Sequence, residues 1–404
     1  MTNEADALAF DAIARVRPRL ADLRPAGEAI DFPARTVLHA GPPFENAAAV
    51  PAPVANSAAA ALVFEGWAGD RSDALAMLAD GRIRLAPAQD HRCAVPLASV
   101  LSPSQQVQVV HDAAGTAGPA CAPLNGGSGP ALRLGLPGPE VVAHLRWLNG
   151  PFADAIRPAC RRGIDLLPIA DQALADGDDC HGRTQAATAL LMQVFALPPG
   201  EGPSSEARRF LSVSPSFFLN LWMAAVKCML GAAEGIAGSA FVTAMGGNGV
   251  QMGLQLAARP GRWYTAASSP PAGKLEDGVA ESDRLPAIGD SALIEAFGLG
   301  AMAFAHAPLQ LQALGAWLPE PPEALARALL WDAHPAFATS HARCGLSARA
   351  VATTRKAPVV ALGVLDARGE RGRIGGGIWQ ASVAHFEQAL ADVFTDLQPR
   401  RSPP

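Results

Sequence analysis

The sequence predicts a multidomain α+β protein. An N-terminal mixed α/β domain (1–136) leads through a short helical middle segment (137–200) to a C-terminal α/β domain (201–398) built around a buried helix and hairpin. Residues 399–404 read as a disordered tail. Three observations carry this. Between Ser216 and Glu234 the only charges are Lys227 and Glu234, and a helix apolar on nearly all sides belongs inside a domain. Two apolar runs then flank GGNG (Gly246 to Gly249), and Asn-Gly between such runs is a strong hairpin signal. Finally, short apolar runs alternate with Pro, Gly and Ser clusters from Ile83 to Leu136, whereas the texture after Pro139 is helical.

Taken in order, residues 4–24 read as an opening helix, with Leu8, Ile13, Val16 and Leu20 at roughly helical spacing. Thr36 to His39 reads as a short strand before the turn GPP, and Arg71 to Ala79 as a helix stopped by Asp80-Gly81. Glu140 to Leu148, Phe152 to Arg162, Ile164 to Ala175 and Gln185 to Phe195 read as helices, interrupted by the polar knot DGDDCHGRT (Asp176 to Thr184). After the central stretch come a strand at Arg262 to Ala266 and a long irregular loop, Ser268 to Pro286. Ser291 to Ala305 and Pro322 to Ala333 read as helical, and Val359 to Val364 as a buried strand. Arg371 to Gly377 reads as a Gly-rich turn, and Val383 to Leu397 as the last helix.

Composition narrows the function classes. The chain has 404 residues, 50% of them hydrophobic, with a net charge of −5, so nothing suggests nucleic acid or an anionic membrane as partner. Asn220, Lys227 and Glu234 argue against a membrane span in the central stretch. The N-terminus MTNEADALAF lacks the pattern of a secretory signal. The six cysteines are scattered, without a CxxC pair, which suggests neither a zinc site nor a disulfide framework and points to a reducing cytoplasm. His39, His91, His306, His334 and His341 show no HxxxH or HxH spacing, so no metal is expected. No other cofactor is implied.

Four groups are candidates for chemistry. DDCHGRT (Asp178 to Thr184) puts carboxylates beside His181 and Arg183 at a helix start, which fits acid–base or anion-holding work by Asp179, His181 and Arg183 as well as plain helix capping. The glycine turns at Asn248, at Asp290–Ser291 and at Gly375–Gly376 fit either backbone anion nests or tight turns. Lys227 shares a helical stripe with Asn220 and must find a partner, reach the surface or serve a ligand. Glu295, in apolar surroundings, poses the same question and is one candidate partner for Lys227. His39, at the end of its short strand, and Asn125, in a loop, complete the ligand-binding candidates.

These motifs resemble the YlbE/YahG-like family. LHAGPP (Leu38 to Pro43), FEGWA (Phe64 to Ala68), DDCHGRT with AATALL (Ala186 to Leu191), FFLNLWMAAVK (Phe217 to Lys227), VTAM with NGV (Val242 to Val250), IGDSA (Ile288 to Ala292), FGLGA (Phe297 to Ala301) and IGGGI (Ile374 to Ile378) stand in the family's order. The resemblance runs from about Phe10 to Phe394. It implies an AllG-type subunit of oxamate carbamoyltransferase, which converts oxalurate and phosphate into oxamate and carbamoyl phosphate during allantoin use. It further implies FdrA-like (AllF) and AllH-like partner subunits and small anionic ligands; a homo-oligomer stays open. The chain departs from the family pattern at DHRCAVPLAS (Asp90 to Ser99), NGGSG (Asn125 to Gly129), GNGVQMG (Gly247 to Gly253) and GVLDARG (Gly363 to Gly369). Those departures leave two alternatives, a non-catalytic structural subunit and a paralogue acting on another ureido or amide acid.

Overall fold

A computed structural model of the chain describes residues 2–395. The expected tail (399–404) and the end of the last helix at Leu397 lie outside the described residues. The fold is α+β and multidomain, with five small sheets among the described residues and three separate hydrophobic cores.

The largest core surrounds the helix Phe217–Gly231, in which Phe217, Phe218, Trp222 and Met229 are fully buried. Each such side chain contributes roughly 1.5–3 kcal/mol by leaving water. The helix packs against the sheet ordered Ala120–Pro123, Gln106–Asp112, Pro18–Pro25, Ile164–Asp165. It also packs against strand Val242–Asn248 of a second sheet, ordered Tyr264–Ala267, Gln251–Leu256, Val242–Asn248, Ile288–Gly289. The first sheet therefore draws strands from both sides of the boundary expected at 136/137.

The opening helix stops at Arg15, and Pro18–Pro25 is a strand rather than helix. Leu20 and Leu23 enter the core from it, with Val16 just before it, because apolar residues three or four apart also suit a strand bent by the bulge between Leu20 and Asp22. Ile164–Asp165 is likewise a strand before helix Leu167–Ala175, and Leu330–Ala333 a strand after helix Pro322–Leu329. The loop expected at 268–286 contains strand Ala272–Leu275.

Two glycine clusters differ from expectation. Gly246 and Gly247 lie within strand Val242–Asn248, and the two-residue turn is Gly249–Val250, with Gly249 at φ +85°. Gly375 and Gly376 lie inside strand Arg373–Gln380, which pairs with Ala272–Leu275 on one side and Val359–Leu365 on the other. Ladder-bonded backbone does not form an anion nest, so neither cluster is one.

Cys93 and Cys121 form a disulfide between the loop after Ala88–His91 and strand Ala120–Pro123. This corrects the expectation drawn from cysteine spacing, since a separation of 28 residues gives no cue until the fold closes it. The cysteines therefore no longer argue for a reducing compartment. Cys160, Cys180, Cys228 and Cys344 are free and buried. Among the described residues no single helix is long and apolar enough to cross a membrane.

Candidate active site

The polar knot before helix Gln185–Phe195 is a tight turn tied by its own carboxylates. Asp178 accepts the Ala187 N–H (2.9 Å) and faces the Arg183 guanidinium (3.3 Å); burial pushes it up to about 6. Asp179 accepts from the backbone N–H groups of His181 (2.7 Å) and Arg183 (3.0 Å). The N–H groups of Asp179 and Cys180 return to the Arg183 carbonyl, with Cys180 at φ +61°. Residue types that compete with helix for backbone bonds thus build the turn, and it aims the His181 ring at Glu295.

Glu295 is fully buried in helix Leu293–Phe297. Both its oxygens lie within hydrogen-bonding distance of His181 Nδ1 (2.7 and 2.9 Å), and Oε1 also accepts the N–H groups of Ala301 and Ala361. Burial alone would lower His181, but the adjacent Glu295 carboxylate outweighs it and raises the imidazole above its ordinary value. Burial raises Glu295 as well, against the same pairing. Close approach at this point requires glycine: Gly300 sits at φ +64°, and a Cβ there would lie 2.1 Å from Glu295 Oε1.

With Nδ1 committed to Glu295, Nε2 is left for a cavity of about 140 Å³ lined by His181, Ser291, Gln310, Arg133 and Arg373. The two arginines come from separate elements. Arg133 stands on the single turn Leu132–Leu134, which helix Ala52–Phe64 pins by the Ser57 hydroxyl donating to the Leu132 carbonyl (2.7 Å). Arg373 opens strand Arg373–Gln380 and lies against the facing pair Gly363 and Gly376. That explains the missing side chains at IGGG better than a phosphate nest does. Asn56 spans the two regions, its amide donating to the carbonyls of Gly135 and Gly369.

Neither arginine has a carboxylate partner among the described residues. Arg373 Nε donates to the Gly375 carbonyl, and the buried Arg133 Nη1 has no hydrogen-bond partner among the described residues. Burial, with Arg373 close by, holds Arg133 down at about 10. Two neighbouring cations at a cavity without a carboxylate favour an anion between them.

The predicted residues separate into two groups. His181, Ser291 and Gly376 line the cavity, with Asp179 and Glu295 immediately behind His181. Asp290 supports it from deeper inside, accepting from Gly41 N–H, Val95 N–H and the Gln89 amide, and burial pushes it up to about 7. The rest are engaged elsewhere. Lys227 pairs with Glu234 (2.9 Å), not with Glu295. Arg183 faces Asp178, and Asn248 closes the hairpin by accepting from Val250 and Gln251 N–H. Asn125 donates to Asn220 and to the Ser216 carbonyl. His39 is buried, pushed down to about 4 by desolvation, with Nδ1 on the Ala40 carbonyl. Gly375 is in a ladder, although it borders the outer groove.

Sequence reasoning passed over Arg133, Arg373 and Gln310. The available signal was small: Arg133 is the sole charge in the run GPALRLGLPG, and Arg373 adjoins the glycines already singled out. Among the described residues no cluster of three or more His, Cys, Asp or Glu could hold a metal ion.

Fold and site together define an α+β protein with a Glu-buttressed histidine and two guanidiniums, neither with a carboxylate partner among the described residues, at one cavity. The family model for oxamate carbamoyltransferase subunit AllG matches residues 83–291. The chain is 32% identical over 405 residues to the oxamate carbamoyltransferase subunit AllG of Escherichia coli K12, covering 96% of each. It is 35% identical over 297 residues to the uncharacterized protein YahG of the same organism, covering 71% of this chain and 62% of that one. A crystal structure of a conserved protein of unknown function from Enterococcus faecalis V583 superposes with a TM-score of 0.89 at 27% identity, covering 98% of both chains. The chain belongs to the AllG family of oxamate carbamoyltransferase subunits.

Proposed function

We propose that this chain contributes an active site to an oxamate carbamoyltransferase that phosphorolyses oxalurate, working in the cytoplasm with FdrA-like (AllF) and AllH-like subunits in the use of allantoin nitrogen. One observation carries the reading: Arg133 and Arg373, both without carboxylate partners, share a cavity with a histidine whose far nitrogen is held by buried Glu295.

The chemistry asks for such a set. An oxygen of hydrogenphosphate attacks the terminal carbamoyl carbon of oxalurate, and the bond from that carbon to the oxamate nitrogen breaks. The proton of hydrogenphosphate ends on that nitrogen, giving oxamate and carbamoyl phosphate with charge conserved. His181, whose protonated form Glu295 favours, donates from Nε2 to the carbamoyl oxygen as negative charge builds there. The arginines hold the two anions together against their mutual repulsion, which is mainly a matter of positioning.

The test is carbamoyl phosphate formation from oxalurate and phosphate by this chain assembled with its partner subunits. His181→Gln should reduce the rate about 10²- to 10⁴-fold without changing assembly. An assembled wild-type complex that forms no carbamoyl phosphate would sink the reading and favour a structural subunit. Turnover of a different ureido acid would instead identify a paralogue with another substrate.

A further inference from the structure

The two arginines differ in depth, and that difference gives the cavity a direction. We propose that Arg133 is the inner subsite, taking the carboxylate of the ureido acid, and Arg373 with Lys274 the outer one, taking phosphate. The assignment rests on the phosphorolysis reading above.

Arg133 Nη1 is buried and unpartnered. Arg133 also borders a small space of about 20 Å³ together with Asn220 and His144, room for about one water. Its turn is pinned from below by Ser57. A planar guanidinium fork without a partner of its own, facing the 140 Å³ cavity, fits a flat carboxylate bidentately. Arg373 is exposed, and besides the cavity it borders a wide groove of about 660 Å³ together with Lys274. Lys274 sits in the neighbouring strand, opposite Gly376 in the register. A dianion is more costly to strip of water than a monoanion, so the open end with two cations suits phosphate. Glu276 and Asp277 border the same groove and repel an anion, so phosphate is held where Arg373 and Lys274 face it.

Orientation follows from the substrate's connectivity. In oxalurate the carbamoyl group is the end farthest from the carboxylate. A carboxylate seated on Arg133 therefore directs the carbamoyl carbon outward, past His181, to the phosphate on Arg373. Carbamoyl phosphate then leaves first through the groove and oxamate last.

The experiment titrates the full-length chain, alone and assembled with its partners, with inorganic phosphate and with oxamate. Arg373→Gln should weaken phosphate at least about tenfold and leave oxamate within about twofold, and Arg133→Gln should do the reverse, since each removes a charge-assisted contact to one ligand. Both variants weakening the same ligand, or neither variant changing either ligand, overturns the assignment. So does a wild-type chain that binds neither anion alone or assembled. Because binding is read without turnover, a complex that binds both anions as assigned but does not turn over oxalurate keeps the subsites and discards only the reaction.

Discussion

Two sets of cations in this molecule met opposite fates. Lys227 is the conspicuous one in the sequence, a lone charge in an apolar helix. In the structure it is 1% exposed and neutralised by Glu234, which also lies 3.7 Å from Arg92. Arg133 and Arg373 are inconspicuous in sequence, yet they stand at a cavity without carboxylates to balance them. A buried charge that the protein itself satisfies is part of the architecture. A charge left unsatisfied at a cavity is available to a ligand.

That contrast is open to direct attack, and the largest effect belongs to the carboxylate behind His181. Glu295→Ala removes the partner of a buried histidine and the acceptor for two backbone N–H groups, and should cost about 3–5 kcal/mol in denaturant unfolding. A loss below about 1 kcal/mol would mean that the pair is not load-sharing with the fold. Gly300→Ala tests the same spot sterically: with φ at +64° and a Cβ 2.1 Å from Glu295 Oε1, it should lose roughly 2–3 kcal/mol and carbamoyl transfer with it.

Next in size, Lys227→Met should lose about 1–3 kcal/mol by leaving Glu234 poorly paired while phosphate affinity stays unchanged. A large drop in phosphate affinity would instead restore Lys227 to the ligand site. The pH dependence is smaller in amplitude but definite in sign. His181 is raised above 6.5 in the folded state, so the stability it contributes is fully present below pH 6.5 and is lost as pH rises through the raised value. Activity that needs Nε2–H should fall over the same window, and the His181→Gln protein should lack that step in its stability profile. Smallest of all, Arg133→Gln should change stability by no more than about 0.5 kcal/mol, since it relieves repulsion from Arg373, and yet weaken oxamate binding. A clear destabilisation would recast Arg133 as structural.

Much of the fold could be read in advance because apolar periodicity and turn chemistry act locally. The buried helix, the strand at Val359–Leu365 and the hairpin are of this kind. Where the reading slipped, as at Pro18–Pro25, apolar spacing suited both helix and bent strand, and only pairing with Gln106–Asp112 decided between them. The site was half legible. His181 and Asp179 declared themselves by density of polar residues, and Glu295 by its apolar surroundings, but nothing local said that His181 and Glu295 meet across 114 residues.

By itself the sequence determined the α+β class, the family, the central buried helix and the turn that carries His181, since each depends on residues near one another in the chain. Only the tertiary structure decided which charges are paired. Lys227 reaches Glu234 in the turn just past its helix, whereas Arg133 and Arg373, 240 positions apart in number, converge on one cavity with no carboxylate lining it. Charge pairing depends on distance through space and on local dielectric, and neither is a property of any stretch of sequence read alone.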